Sequence, residues 1–178
     1  MTDIFNYNRR KSSTVKAGNC LIGGDNPIRL QSMTTTNTND TEASVEQAIR
    51  IIKAGGELVR LTTQGTREAL NMGNIRYALR CRGYSVPLVA DVHFNANVAD
   101  VAAEHCDKVR INPGNYTDPA RKFRHIEYTD EEYAAELQKI EERLVPFIDV
   151  CRRNNTAVRI GVNHGSLSDR IMSRYGGT

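Results

Sequence analysis

Arg60, Arg110 and Arg159 each interrupt a short aliphatic run: Leu58-Val59-Arg60-Leu61-Thr62, Lys108-Val109-Arg110-Ile111 and Ala157-Val158-Arg159-Ile160. Such runs read as buried strands, and a guanidinium inside one is costly unless it is paired or reaches a wet opening. Asp91 and His93 hold the matching place in a fourth run, Leu88-Val89-Ala90-Asp91-Val92-His93. Asp91 is the one acid at such a position, so a single carboxylate faces three guanidinium groups. A ligand with several negative charges would complete the balance, and phosphate suits arginine because the planar fork donates paired hydrogen bonds. The plainer alternative pairs each arginine with an acid on a loop.

Asp91 and His93 lie two residue rises apart on one side of a strand, roughly 7 Å. The imidazole could donate a proton or a hydrogen bond to phosphate, and Asp91 could accept from a substrate hydroxyl or hold an arginine in place. No second histidine or carboxylate cluster accompanies them, so a metal site is not indicated. Asn112-Pro113-Gly114-Asn115 is a turn signal directly after a strand, where Gly114 would let backbone approach a ligand. An ordinary turn explains the proline and glycine equally well but leaves Asn112 without a reason.

These residues need elements to hold them. Residues 28–33, 58–63, 88–93, 108–113 and 157–163 read as strands, with amphipathic stretches between. Val45, Ala48, Ile49 and Ile52 share one helix face, started by Asp40 or Thr41 and ended at Gly55-Gly56. Further helices are predicted over 68–82 and 96–105. After a polar loop over 115–128, Thr129-Asp130-Glu131-Glu132 forms a capping box for a longer helix, which Pro146 should kink or end early. Ser166-Leu167-Ser168-Asp169 opens another.

Alternating strands and helices imply a parallel sheet covered by helices. No nucleotide-binding glycine signature follows the first strand, which favours a (β/α)8 barrel over a doubly wound sheet. Such a barrel needs eight strands over about 250 residues. The expected fold is therefore α/β, a partial (β/α)8 TIM barrel with about five βα units over residues 28–178 and the remaining strands missing. Residues 1–27 are a leader, in which 15–24 fits either a small hairpin turning near Gly18-Asn19, able to plug the bottom of a barrel, or an irregular leader.

Strand alternation sorts the side chains into two faces. Ile28, Leu30, Val59, Leu61, Leu88, Ala90, Val92, Val109, Ile111, Val158, Ile160 and Val162 should face outer helices. Arg29, Gln31, Arg60, Thr62, Asp91, His93, Lys108, Arg110, Asn112, Arg159 and Asn163 should point inward, mostly toward the carboxyl ends where such barrels build active sites. The net charge of +3, with scattered basic residues, argues against a nucleic-acid surface. No apolar run approaches membrane-spanning length and residues 1–13 lack a signal-peptide core, which predicts a cytoplasmic protein. Cys20, Cys81, Cys106 and Cys151 lie far apart with no C-x-x-C pair, and read as buried or half-buried thiols.

Four strings, Gln31-Ser32-Met33-Thr34, Val89-Ala90-Asp91-Val92-His93-Phe94, Val109-Arg110-Ile111-Asn112-Pro113-Gly114-Asn115 and Arg159-Ile160-Gly161-Val162-Asn163-His164-Gly165-Ser166-Leu167, resemble in order and spacing the barrel of the 4-hydroxy-3-methylbut-2-enyl diphosphate synthase family. The stretch over 115–135 is similar to the longer form of plants and some bacteria, which has an inserted domain. The resemblance implies an iron–sulfur oxidoreductase of the methylerythritol phosphate (MEP) pathway of isoprenoid biosynthesis. It would reductively open 2-C-methyl-D-erythritol 2,4-cyclodiphosphate to 4-hydroxy-3-methylbut-2-enyl diphosphate. Its [4Fe–4S] cluster, held by three cysteines and a glutamate of a carboxyl-terminal domain, would lie outside this chain, leaving the chain inactive alone. Ferredoxin or flavodoxin would be the reductant, and a homodimer is left open.

By the same resemblance, Arg60, Asp91, His93, Arg110, Asn112, Arg159, Asn163, Gln31, Ser32 and Ser166 correspond to substrate-binding positions. Two other readings stand beside it. One is a pterin- or folate-binding barrel module, which would favour carboxamides and an acid over converging arginines. The other is a half-barrel that associates with another chain through its exposed strand edges.

Overall fold

The structure, a computed structural model, describes residues 10–92, 95–118 and 122–176. β1 (Val15–Ala17) and β2 (Cys20–Ile22) form an antiparallel hairpin whose two-residue turn is Gly18-Asn19, with Gly18 at φ +57°. Positive φ there suits glycine, and asparagine tolerates the tight turn. Five further strands make one parallel sheet in sequence order: β3 (Gln31–Met33), β4 (Leu58–Thr62), β5 (Leu88–Asp91), β6 (Lys108–Ile111) and β7 (Ala157–Ile160). With α1 (Thr41–Lys53), α2 (Thr66–Cys81), α3 (Ala96–His105), α4 (Asp130–Asn154) and α5 (Asp169–Tyr175), this is the expected α/β partial barrel.

Local chemistry sets the helix ends. Asp40 accepts a hydrogen bond from the Ala43 amide at the start of α1, and Gly55 at φ +97° follows its end. Thr129 and Glu132 form the reciprocal capping box of α4, which closes on Asn155 in the left-handed conformation. Pro146 does not force the early end that proline could have imposed, and α4 continues past it to Asn154. The lost amide hydrogen bond is outweighed because the turns around the proline bury Phe147 and Cys151 in the core, and burying one large apolar side chain contributes about 1.5–3 kcal/mol.

The strands are shorter than the hydrophobic runs that announced them. The first begins at Gln31 rather than at residue 28, and the last closes at Ile160 rather than 163. Arg29 accordingly does not enter the sheet interior. It donates to Glu57 (2.7 Å) and to the Leu21 carbonyl (2.9 Å), tying the hairpin to the sheet, while Glu57 also accepts from the Leu30 amide. That amide first, and Arg29 next, hold the Glu57 carboxyl below its ordinary value.

Outward residues Val59, Leu61, Leu88, Ala90, Val92, Val109 and Ile111 pack against helix residues such as Ile49, Met72 and Phe147 in the main core. Ile28, Leu30, Ile160 and Val162, expected on the same face, are instead exposed. They flank the two outermost strands, where the layer of helices among the described residues ends. On the inward face Leu58, Val89 and Ala157 meet Ala17 and Cys20 of the hairpin, forming a small apolar floor at the amino ends of the strands.

Candidate functional site

The sheet register arranges the inward residues in two tiers. Arg60, Val89, Lys108 and Ala157 are successive cross-strand partners, just above the floor. Thr62, Asp91, Arg110 and Arg159 form the next tier, nearer the carboxyl ends. The cations therefore converge because alternate residues of neighbouring parallel strands share a face.

Asp91 is buried and is the hub. Its Oδ2 lies 2.6 Å from Arg60 Nη2, and its Oδ1 is 3.5 Å from Arg110 Nη1. Arg110 is buried as well, and its Nη2 donates to the Gly161 carbonyl at 2.9 Å. Burial pushes Arg110 below its ordinary pKa; the Asp91 charge opposes this, and the Arg60 and Arg159 charges add to it. Arg60 Nε is buried with no hydrogen-bond partner among the described residues, as are Arg76 Nε and Arg170 Nη1 elsewhere in the fold. Arg159 is exposed and makes no ion pair or hydrogen bond among the described residues.

Two residues absent from the candidate list belong here. Lys108 stands beside Arg60 and Arg159, whose charges, after burial itself, lower its pKa. Gly161 is the saddle under Arg110: a Cβ built on it would lie 2.1 Å from Arg110 Nε and 3.0 Å from Cζ. The inward alternation already contained Lys108. Gly161 carried only the general signal that glycine beside a strand marks a close approach.

Other candidates fall elsewhere. Asn112 is fully buried, and its Oδ1 accepts from the Gly114 amide (3.1 Å), capping a short 3-10 turn, Pro113–Asn115, so the turn does give Asn112 a reason. A Cβ on Gly114 would meet Leu167 and Ile171, so its close neighbours are side chains of the segment leading into α5 rather than an open ligand space. Gln31 shares the inward parity but pairs with Leu58, a tier below Arg60. Ser32 pairs with Val59 on the opposite parity, and lines an outer hollow with Gln47 and Ile51, so it is not brought to the arginines. Asn163 is exposed at the rim, just before the turn His164–Ser166. His93 lies outside the described residues, as does the side chain of Ser166.

A hollow of about 730 Å³ is at the other end of the sheet, between the hairpin residues Val15 and Lys16 and the α4 residues Cys151 and Asn154. In barrels of this architecture the amino-terminal face carries stability and the carboxyl-terminal face carries chemistry, so the cation tiers remain the candidate site.

No three His, Cys, Asp or Glu side chains among the described residues are grouped to hold a metal ion. Cys20, Cys106 and Cys151 are buried, whereas Cys81, at the end of α2, is exposed, contrary to expectation; burial pushes the thiols of Cys106 to about 12 and Cys151 to about 11, away from the thiolate that metals require. These residues do not fit a [4Fe–4S] ligand set. No helix of the described chain is long and apolar enough to cross a membrane.

The chain is 69% identical over 176 residues to 4-hydroxy-3-methylbut-2-en-1-yl diphosphate synthase (flavodoxin) of Bacteroides fragilis, covering 99% of this chain but 28% of that protein. It is 47% identical over 173 residues to the chloroplastic 4-hydroxy-3-methylbut-2-en-1-yl diphosphate synthase (ferredoxin) of Oryza sativa subsp. japonica, covering 97% of this chain and 23% of that protein. Among solved structures, dihydropteroate synthase of Burkholderia cenocepacia, complexed with 7,8-dihydropteroate, superposes with a TM-score of 0.50 at 16% identity, covering 89% of this chain and 66% of that one, a likeness of fold alone. The profile of the GcpE TIM-barrel domain matches residues 12–178, the span that contains both cation tiers, and the chain belongs to that family.

Proposed function

We propose that this chain is the substrate-holding barrel portion of an enzyme that reductively opens 2-C-methyl-D-erythritol 2,4-cyclodiphosphate to 4-hydroxy-3-methylbut-2-enyl diphosphate. The observation that carries this reading is the charge imbalance of the inward tiers: Arg60 and Arg110 share Asp91, while Arg159 has no partner among the described residues. Guanidinium groups fixed in a partly buried cup favour a dense anion, and a cyclic diphosphate offers one. The residues of this chain bind and orient that anion; Asp91 holds two arginines at fixed angles so that little reorganisation accompanies binding.

The reductive chemistry is assigned outside these residues, to a [4Fe–4S] cluster in the remainder of a longer protein, because the chain spans less than a third of the relatives it matches. Flavodoxin or ferredoxin, the donors in those relatives' names, would supply the electrons. The chain alone is then expected to bind without turnover. The pterin alternative is not favoured, since the likeness to dihydropteroate synthase is of fold alone while the sequence relatives are diphosphate synthases.

Calorimetric titration of the protein with the cyclic diphosphate and with a pterin separates the two. Saturable binding of the diphosphate that weakens with salt is expected. Preference for the pterin, or no diphosphate binding at all, would remove the reading, and turnover by the anaerobically purified chain would remove its division of labour.

A further inference from the structure

We infer that Lys108 is a fourth cation of the anion cup, contacting bound diphosphate directly from the tier next to the floor. The inference deepens the reading above and rests on it. Lys108 is half-buried on β6, with Val89 and Ala157 as its cross-strand neighbours. Both neighbours belong to the apolar floor closed by Ala17 and Cys20. An aliphatic residue would complete that layer at no electrostatic cost. A lysine there can lay its stem along the apolar wall, with its ammonium within reach of the Arg159 and Arg60 charges as well as of Cys20 in the floor.

That position is repulsive in the absence of ligand. Among the described residues the Lys108 ammonium makes no ion pair or hydrogen bond, whereas Asp91, the carboxylate of the next tier, is bound by Arg60 and Arg110. Burial first, and then the Arg159 and Arg60 charges, lower its pKa, which is the signature of a cation the ligand-free fold does not favour. Among the described residues, Arg60, Lys108, Arg110 and Arg159 against Asp91 leave the cup three positive charges in excess, four minus one. A diphosphate supplies the missing negative charge, and Lys108 and Arg159 are the two cations that await it.

The test uses inorganic pyrophosphate as the probe, with Lys108→Met, Lys108→Arg and Arg159→Met. Dissociation constants come from calorimetry, and melting temperatures are taken without ligand. Lys108→Met should weaken pyrophosphate binding by about tenfold or more, as loss of a charged hydrogen bond does. Its ligand-free melting temperature should hold or rise, because a repelled charge has gone; Lys108→Arg should recover part of the affinity. Unchanged affinity in Lys108→Met, with Arg159→Met weakened, overturns the role of Lys108 and leaves the cup standing. A fall in the ligand-free melting temperature makes Lys108 a structural residue and also overturns it. If the unsubstituted protein does not bind pyrophosphate, the cup reading itself fails.

Discussion

Asp118 and Asp91 are both almost wholly buried against arginine, but their charge surroundings differ. Among the described residues Asp118 takes one partner, Arg170, through Nε (3.1 Å) and Nη2 (3.0 Å), and that guanidinium also lies 4.9 Å from the centroid of Tyr133. Plus one meets minus one. The pair fastens the loop after β6 to α5, helped by the Lys122 amide on Asp169 and the Ile126 amide on Ser173. Asp91 instead takes two arginines, in a cluster that holds two further cations. A buried pair that balances its own charge needs nothing from outside. An unbalanced set costs the empty protein stability and lowers that cost only when an anion arrives, which separates a fastener from a site.

The comparison breaks most sharply at Asp118. Asp118→Ala leaves the Arg170 guanidinium buried and unpaired, which should cost about 3–5 kcal/mol of unfolding free energy by denaturant titration. Pyrophosphate affinity measured on the folded fraction should change little. A loss below about 1 kcal/mol would mean the pair is no more than a surface contact.

Gly161→Ala comes next. With a Cβ 2.1 Å from Arg110 Nε, either the guanidinium or β7 must shift, and overpacking of this kind costs about 1–3 kcal/mol. Pyrophosphate binding should fall toward that of Arg110→Ala, itself weakened by about tenfold or more through loss of a charged hydrogen bond. The double variant should bind no worse than Arg110→Ala alone, because both changes remove the same guanidinium geometry. Additive losses would show that Gly161 acts on something other than Arg110.

Part of this was legible in the residues themselves. The inward alternation of Arg60, Asp91, Arg110 and Arg159 follows from the two-residue period of a strand and needs no tertiary information. So do the capping residues Asp40 and Thr129, whose signals act within one turn. What the sequence withheld is either a partnership across distance or a balance of energies. Asp118 and Arg170 are 52 residues apart, and nothing near either one announces the other. Gly161 advertised a close approach but not which atom approaches. Pro146 was read by a local rule that core burial at Phe147 and Cys151 overrode. The turn-capping use of Asn112 was not foreseen, because a side chain capping a three-residue turn leaves no periodic trace. Strand ends were overrun at both edges, since hydropathy marks an apolar run and not where its hydrogen-bond ladder stops.

The smallest expected effect on stability is the one that sharpens the contrast with Asp118. Arg159 is exposed and pairs with no acid among the described residues, so Arg159→Ala removes no ion pair or hydrogen bond made there and should leave stability within about 0.5 kcal/mol. Its whole consequence should appear in binding: weaker pyrophosphate affinity, and a shallower dependence of that affinity on salt, because one fewer cation is neutralised by the ligand. Asp118→Ala and Arg159→Ala should thus be opposites, the first moving stability without affinity and the second affinity without stability. If Arg159→Ala instead destabilises the protein and leaves pyrophosphate binding alone, the excess charge in the cup belongs to the fold, and the distinction between the two buried aspartates is lost.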